Sequence, residues 1–175
     1  ECYGYEDYSD FNELKLILSK AECAFHGTSS GMDPIVSYVN QPVLFTREGI
    51  KLISDEILHL NDFFLIDTGI PRSTSHYVQI YKQKYENLVG FKSQVKTLES
   101  LNAMLIDSIL GNQLKELKTI IKKVSLLQFE LFKEMIPDDF LEIWSHGLKT
   151  DDFYLKLCGA GGGGMILGWS EYSTF

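Results

Sequence analysis

The sequence predicts an α+β domain, and two features carry that prediction. Short apolar runs of strand length stand at residues 41–53, 62–67 and 153–169, and a long block between them, 73–136, repeats its apolar residues with helical spacing. A few strands packed by several helices is an α+β arrangement, and strands from both ends of the chain are expected to share one sheet.

Each element has its own warrant. From Phe11 to Phe25 the apolar residues Phe11, Leu14, Leu16, Ile17, Leu18, Ala21, Ala24 and Phe25 form a broad helical stripe, with Asp10 as N-cap, and the helix runs into His26-Gly27. Gln41–Thr46 and Ile50–Ile53, separated by Arg47-Glu48-Gly49, read as a hairpin. Asp62–Asp67 reads as a buried strand ending in the turn Thr68–Arg72. Breaks near Gly90 and at Gly111-Asn112 divide the next block into three helices. A fourth helix follows Pro137-Asp138-Asp139 and is expected to stop near Gly147. Phe153–Leu157 is then a strand, and Met165–Trp169 another.

Composition bounds the function. At 175 residues with 45% hydrophobic residues, the chain is long enough for one good core and short for two. A net charge of -8 argues against nucleic-acid and anionic-membrane surfaces, which reward clustered Lys and Arg, so a small-molecule partner is expected. Cys2, Cys23 and Cys158 show no CxxC or Cys/His spacing, so a disulfide framework or zinc site is not expected, and a reducing, cytoplasmic setting fits. No apolar run reaches the roughly 18 residues of a membrane span. The opening Glu1-Cys2-Tyr3-Gly4-Tyr5 has neither an initiator Met nor a signal-peptide layout, so the chain is expected to begin inside a longer protein.

Two stretches invite chemistry. Between the last two strands, five glycines fall in the six positions from Gly159 to Gly164. Glycine is costly to order, so the run implies a turn with positive φ, the close approach of another backbone, or a ligand whose oxygens rest on peptide N–H groups. A dinucleotide-binding turn would have to open a helix and be followed by a ribose-binding acid, and a Walker A loop would end in Lys-Ser/Thr; neither context is met. A phosphate-facing loop and a loop that lets another segment pack closely both stay open.

The second stretch sets the carboxylates Glu22 and Asp33 on either side of a small-residue loop. Magnesium prefers one or two carboxylates together with phosphate oxygens, and phosphoryl transfer needs a carboxylate to orient or accept the proton of the attacking hydroxyl. Asp33 precedes Pro34, which favours an N-cap position at the mouth of a short helix.

Three pieces stand in one order along the chain: Glu22-Cys-Ala-Phe-His-Gly-Thr-Ser-Ser-Gly-Met-Asp33, Ile66-Asp-Thr-Gly-Ile-Pro-Arg-Ser-Thr74 and Lys156-Leu-Cys-Gly-Ala-Gly-Gly-Gly-Gly164. Together they resemble the later motifs of the GHMP kinases, most closely those of the mevalonate kinases. The resemblance implies the C-terminal part of such a kinase: residues 1–60 closing the N-terminal kinase domain with a helix, a catalytic-base loop and a hairpin, and 61–175 forming a ferredoxin-like α+β domain with several added helices.

The resemblance further implies an ATP- and Mg2+-dependent transfer of the γ-phosphoryl group to an alcohol, with mevalonate favoured and a sugar, homoserine or phosphomevalonate as alternatives. It implies Asp33 as the catalytic base and Glu22 as a magnesium ligand. Gly159, Ala160, Gly161, Gly162 and Gly163 would lie on the nucleotide-phosphate side, and His26, Ser30, Arg72 and Thr74 on the substrate side. Arg72 reads equally well as a surface charge paired with Asp67. The hydroxyls of Ser29 and Ser30 more often bond local backbone in such loops, and a histidine at a helix end more often orients a loop than catalyses. Pro34 and Cys158 stand where mevalonate kinases commonly carry Asn and Thr, which points to a divergent branch. The family's principal ATP loop and its lysine do not occur, so this chain alone is expected to be inactive. A non-catalytic module that dimerises through its helices, with a second copy of the chain as partner, is the rival reading.

Overall fold

The computed structural model describes residues 10–26, 29–54, 61–71 and 74–171. The chain divides into two compact units, Glu1–Leu58 and His59–Phe175.

The first unit holds α1 (Phe11–His26), α2 (Met32–Val39), β1 (Val43–Thr46) and β2 (Gly49–Leu52). Asp10 caps α1 as the sequence predicts: its Oδ1 accepts from the N–H of Asn12 at 2.8 Å. Leu14 and Ile35 are buried, whereas Leu16 and Ile17 lie 63% and 41% exposed, so the apolar stripe of α1 is wider than its buried face. Gly31 adopts φ 71, and a Cβ there would stand 2.5 Å from the carbonyl oxygen of Lys15. The start of α2 therefore presses directly on the middle of α1. The hairpin turn holds two residues rather than three, because Thr46 pairs with Gly49.

The second unit contains β3 (Phe63–Asp67), α3 (Thr74–Asn87), α4 (Phe91–Leu110), α5 (Leu114–Leu131), a 3-10 turn (Lys133–Met135), α6 (Asp138–Thr150), β4 (Tyr154–Leu157) and β5 (Met165–Trp169). The strands form an antiparallel sheet in the order β3-β5-β4. A strand from mid-chain thus joins two from the end, but the hairpin β1-β2 makes a two-stranded sheet of its own. β3 is also less buried than expected: it lies at the edge of the sheet, and Leu65 is 63% exposed.

Successive strand residues enter two different clusters, as the two-residue period of a strand requires. Tyr154 and Trp169, their rings stacked at 5.9 Å, pack with Leu105, Leu117, Ile121 and Val124. Leu155, Leu157 and Ile166 pack instead with Phe91, Val95, Leu131 and Trp144. An outer strand still presents unpaired backbone donors that must be satisfied. Here α5 supplies the acceptors: Gln128 Oε1 accepts from the N–H of Leu157 at 2.9 Å, and Ser125 Oγ from the N–H of Leu155 at 3.3 Å.

The helix α6 does not stop at Gly147 but continues to Thr150, where Asp151 closes it at φ 62. Gly147 has a different task. A Cβ there would stand 2.5 Å from the carbonyl oxygen of Phe153, so the bare position lets the chain fold back into β4. Asp151 then accepts hydrogen bonds from Lys122 and from the hydroxyl of Tyr154. Burial, with the Asp151 hydrogen bond and charge, pushes that hydroxyl well above the usual tyrosine range. Among the described residues no helix is long and apolar enough to cross a membrane.

Candidate functional site

The carboxylate motif lies wholly in the first unit. Glu22 sits near the end of α1 and is half-buried. Its Oε2 accepts a hydrogen bond from the hydroxyl of Ser29, whose oxygen in turn accepts from the N–H of Gly31 at 2.9 Å. The hydroxyl of Ser19 donates to the carbonyl of Ser29 at 2.8 Å. The loop between α1 and α2 is thereby tied at three points, and the Glu22 carboxylate is one of them. Ser30 accepts from the N–H of Met32 at 3.3 Å, a local turn contact at the mouth of α2.

Asp33 differs from its expected place. The cap of α2 is Gly31, and Asp33 is the second helical residue, exposed in the first turn. Pro34 permits this because the first turn of a helix leaves its N–H groups without intrahelical partners, so a residue lacking one loses nothing. The first helical bond comes after it, from Ile35 N–H to Gly31 O at 3.3 Å. An aspartate at this position still benefits from the positive end of the helix. The side chains of His26 and Arg72 lie outside the described residues.

The two other motifs meet in the second unit. The backbone N–H and the hydroxyl of Thr68 both donate to the carbonyl of Gly164, at 2.9 and 2.8 Å, across 96 positions of sequence. The N–H of Gly164 donates back to Ile70 O at 3.0 Å, and the N–H of Gly162 donates to Met135 O at 2.6 Å. The turn that follows β3 and the glycine run are therefore sewn together. Thr74, the first residue of α3, is exposed beside them in sequence.

Every glycine of the run adopts positive φ, from 68° at Gly164 to 145° at Gly163. Space is equally restricted. A Cβ on Gly161 would stand 2.6 Å from Met135 O, and one on Gly163 2.3 Å from Ile70 O. Close approach of another segment, one of the readings the sequence leaves open, is thus met by the protein itself, through backbone carbonyls at Gly161 and Gly163 and through the Tyr77 ring at Gly162, all three glycines being buried. Gly159 is exposed, and Ala160 and Gly164 are half-buried. Below Gly159 and Ala160 lies a mainly apolar cavity of about 210 Å3 walled by Tyr77, Tyr81, Phe132, Met135 and Leu157. A larger groove of about 830 Å3 along α6, beside Leu141, His146 and Phe153, includes none of the described motif residues.

A divalent cation would find few protein donors. Among the described residues no group of three or more His, Cys, Asp or Glu forms a protein cage. A single half-buried carboxylate held by a hydroxyl suits magnesium bound largely through phosphate oxygens and water, which is how that ion usually sits in phosphoryl-transfer sites.

Sequence reasoning passed over Thr68, Tyr77 and Met135. Thr68 stands within the quoted second motif, ahead of Gly69, and a Thr-Gly pair at a strand end is the signal that could have marked it. Met135 acts through its backbone and Tyr77 through long-range packing, and neither leaves a mark in the local pattern.

No family model matches the sequence. The chain is 25% identical over 166 residues to a mevalonate kinase of Dictyostelium discoideum, an alignment covering 89% of this chain and 42% of that protein. Its fold matches the crystal structure of L. major mevalonate kinase in complex with R-mevalonate with a TM-score of 0.69 and 20% identity, over 97% of this chain and 52% of that one. The chain thus spans about half the length of the relatives it matches.

Proposed function

Starting from a chain that is mevalonate-kinase-like and has the α+β fold of the C-terminal part of a GHMP kinase, we propose that it serves an ATP- and Mg2+-dependent kinase acting on a small alcohol, with mevalonate as the favoured acceptor. The observation that carries the reading is the double hydrogen bond from Thr68 to Gly164, backed by Gly164 to Ile70. It joins two of the three kinase-like motifs at a point where either alone would be an ordinary turn. The complex of the L. major kinase with R-mevalonate supports the choice of acceptor.

On this reading residues 1–60 close an N-terminal kinase domain and 61–175 form the C-terminal one. Asp33, exposed at the start of α2, takes the proton of the acceptor hydroxyl. Glu22 offers a carboxylate oxygen to the metal, and Ser29 fixes the direction of that carboxylate. Bound magnesium would neutralise charge on the phosphoryl group in transfer. Gly159 and Ala160 present backbone to the phosphates, while Gly161, Gly162 and Gly163 anchor that backbone to the domain. Ser30, Thr74, Arg72 and His26 lie on the acceptor side. A cytoplasmic setting belongs to the same reading.

The test is ADP release by the full-length protein carrying this chain, supplied with Mg-ATP and mevalonate, phosphomevalonate, galactose or homoserine in turn. Turnover on mevalonate alone, lost in Asp33→Ala, is the expected result. Turnover on another acceptor moves the substrate within the family. Failure to bind Mg-ATP at all rejects the kinase reading.

A further inference from the structure

We infer that Tyr77, on the first turn of α3, is the positioning residue that holds the glycine loop in its working shape, an inference that rests on the kinase reading above. Gly161, Gly162, Gly163 and Gly164 in succession have no side chain and all take positive φ, so nothing within the segment selects one conformation. Its shape must come from what packs against it. Met135 O and Ile70 O hold the N–H groups of Gly162 and Gly164, and Thr68 holds the Gly164 carbonyl, but each of these bonds fixes a single polar group and none fills the space beside Gly162.

The remaining constraint is a ring. A Cβ on Gly162 would stand 1.8 Å from Cε2, 2.1 Å from Cζ and 2.6 Å from Cδ2 of Tyr77, and its three nearest neighbours all belong to that one side chain. Tyr77 is half-buried against the main core cluster, whereas α3 has no fully buried residue. The helix itself is fastened farther along, where Lys84 donates to Leu131 O and Glu134 and its ammonium lies 5.5 Å from the Phe91 ring centroid. A tethered helix thus carries one aromatic ring onto a loop with no side chains of its own.

The cavity of about 210 Å3 next to Gly159 and Ala160 shows why the ring matters beyond stability. Tyr77 forms part of its wall, so removal of the ring would leave the loop open space to sink into. Displacement of the exposed Gly159-Ala160 backbone would move it off the phosphates, and small displacements of positioning groups cost rate steeply. Tyr77 itself touches no reacting atom.

The test compares Tyr77→Phe and Tyr77→Ala in the full-length protein, with Tyr77→Leu in place of the latter if it does not fold. Three readouts are taken: amide hydrogen exchange of the peptide 156–166, calorimetric affinity for Mg-ATP, and steady-state kinetics. Loss of the ring should speed exchange in that peptide, weaken Mg-ATP, and lower kcat by roughly 10- to 10²-fold while the KM for the alcohol holds. Tyr77→Phe, which keeps the ring, should behave as wild type in all three. Unchanged exchange in a folded ring-less variant overturns the inference, as does faster exchange with unaltered ATP affinity and kcat. Absence of Mg-ATP binding by the wild type overturns the kinase reading, and the loop's phosphate role with it. The exchange comparison still reports, in that event, whether Tyr77 holds the loop.

Discussion

The hydroxyl of Ser29 donates to the carboxylate of Glu22 and at the same time accepts from the N–H of Gly31. One side chain therefore joins the end of α1 to the cap of α2 and aims a carboxylate between them. Hydrogen bonds of this kind orient metal ligands, and their loss typically costs about 10- to 100-fold in metal affinity or activity. Ser29→Ala should raise the Mg2+ concentration needed for half-maximal activity by roughly 10-fold, with kcat at saturating metal nearly retained. A magnesium titration of both proteins checks it, and coincident curves would remove Glu22 from the metal.

Asp33 is exposed and makes no cap, so its replacement should separate chemistry from folding. Asp33→Ala is expected to lose about 10²-fold or more in kcat, the usual scale of a general base. The helix should lose only its favourable charge, about 0.3–1 kcal/mol. Thermal unfolding alongside initial rates decides this, and near-normal turnover in the folded variant rejects the assignment.

Positive φ and crowding are distinct demands on a glycine, and two sites in the second unit divide them. Gly69 has φ 66 and, among the described residues, nothing lies within 4 Å of where a Cβ would stand, so Gly69→Ala should cost only the left-handed strain, about 1–2 kcal/mol. Gly163→Ala meets Ile70 O at 2.3 Å and must displace backbone. Denaturant midpoints should rank wild type above Gly69→Ala, and that above Gly163→Ala. Equal midpoints for the two variants would mean that the loop yields to a side chain.

Gln128 is buried and its Oε1 satisfies the N–H of Leu157 on the outer edge of β4. Gln128→Leu keeps the bulk and removes the acceptor, leaving a buried donor unpaired at a cost of about 1–3 kcal/mol. Chemical unfolding measures it directly; a neutral result would show that water reaches the strand edge.

Lys84 and Glu134 give a pH dependence of predictable sign. Burial raises the Glu134 carboxyl, but the Lys84 hydrogen bond, a backbone hydrogen bond and the Lys84 charge outweigh it and hold the group below its ordinary 4.5. A depressed folded value stabilises the fold above pH 4.5, and that stabilisation is lost as pH falls through the lowered value. The pair is partly exposed, so the effect is small. Lys84→Met should flatten the acid limb of a stability profile taken from pH 6 to pH 3, about the range over which carboxylates titrate. An unchanged limb would assign the acid loss to other carboxylates.

What was legible beforehand was mostly local. Asp10 as the cap of α1, the breaks at Gly90 and Gly111, and the strand Met165–Trp169 follow from nearest-neighbour chemistry and appear where the periodicity places them. Gly147 misled because a glycine near a helix end resembles a stop, while its bareness in fact serves the return of Phe153. Asp33 misled for a related reason: the residue before a proline is biased away from helix, and the first turn is where that bias is overridden.

By itself the sequence determined the order of helices and strands, the three motifs and their likeness to GHMP kinases, because periodicity, caps and glycine runs are written within a few neighbouring residues. Only the tertiary structure decided that Thr68 bonds Gly164, that Gln128 closes the edge of β4 and that Tyr77 rests on Gly162. Those partners are separated by 96, 29 and 85 positions of chain, and no local pattern encodes which of many compatible side chains will meet. They meet because burying the apolar faces of sheet and helices leaves one arrangement in which the donors and acceptors between them can also be paired.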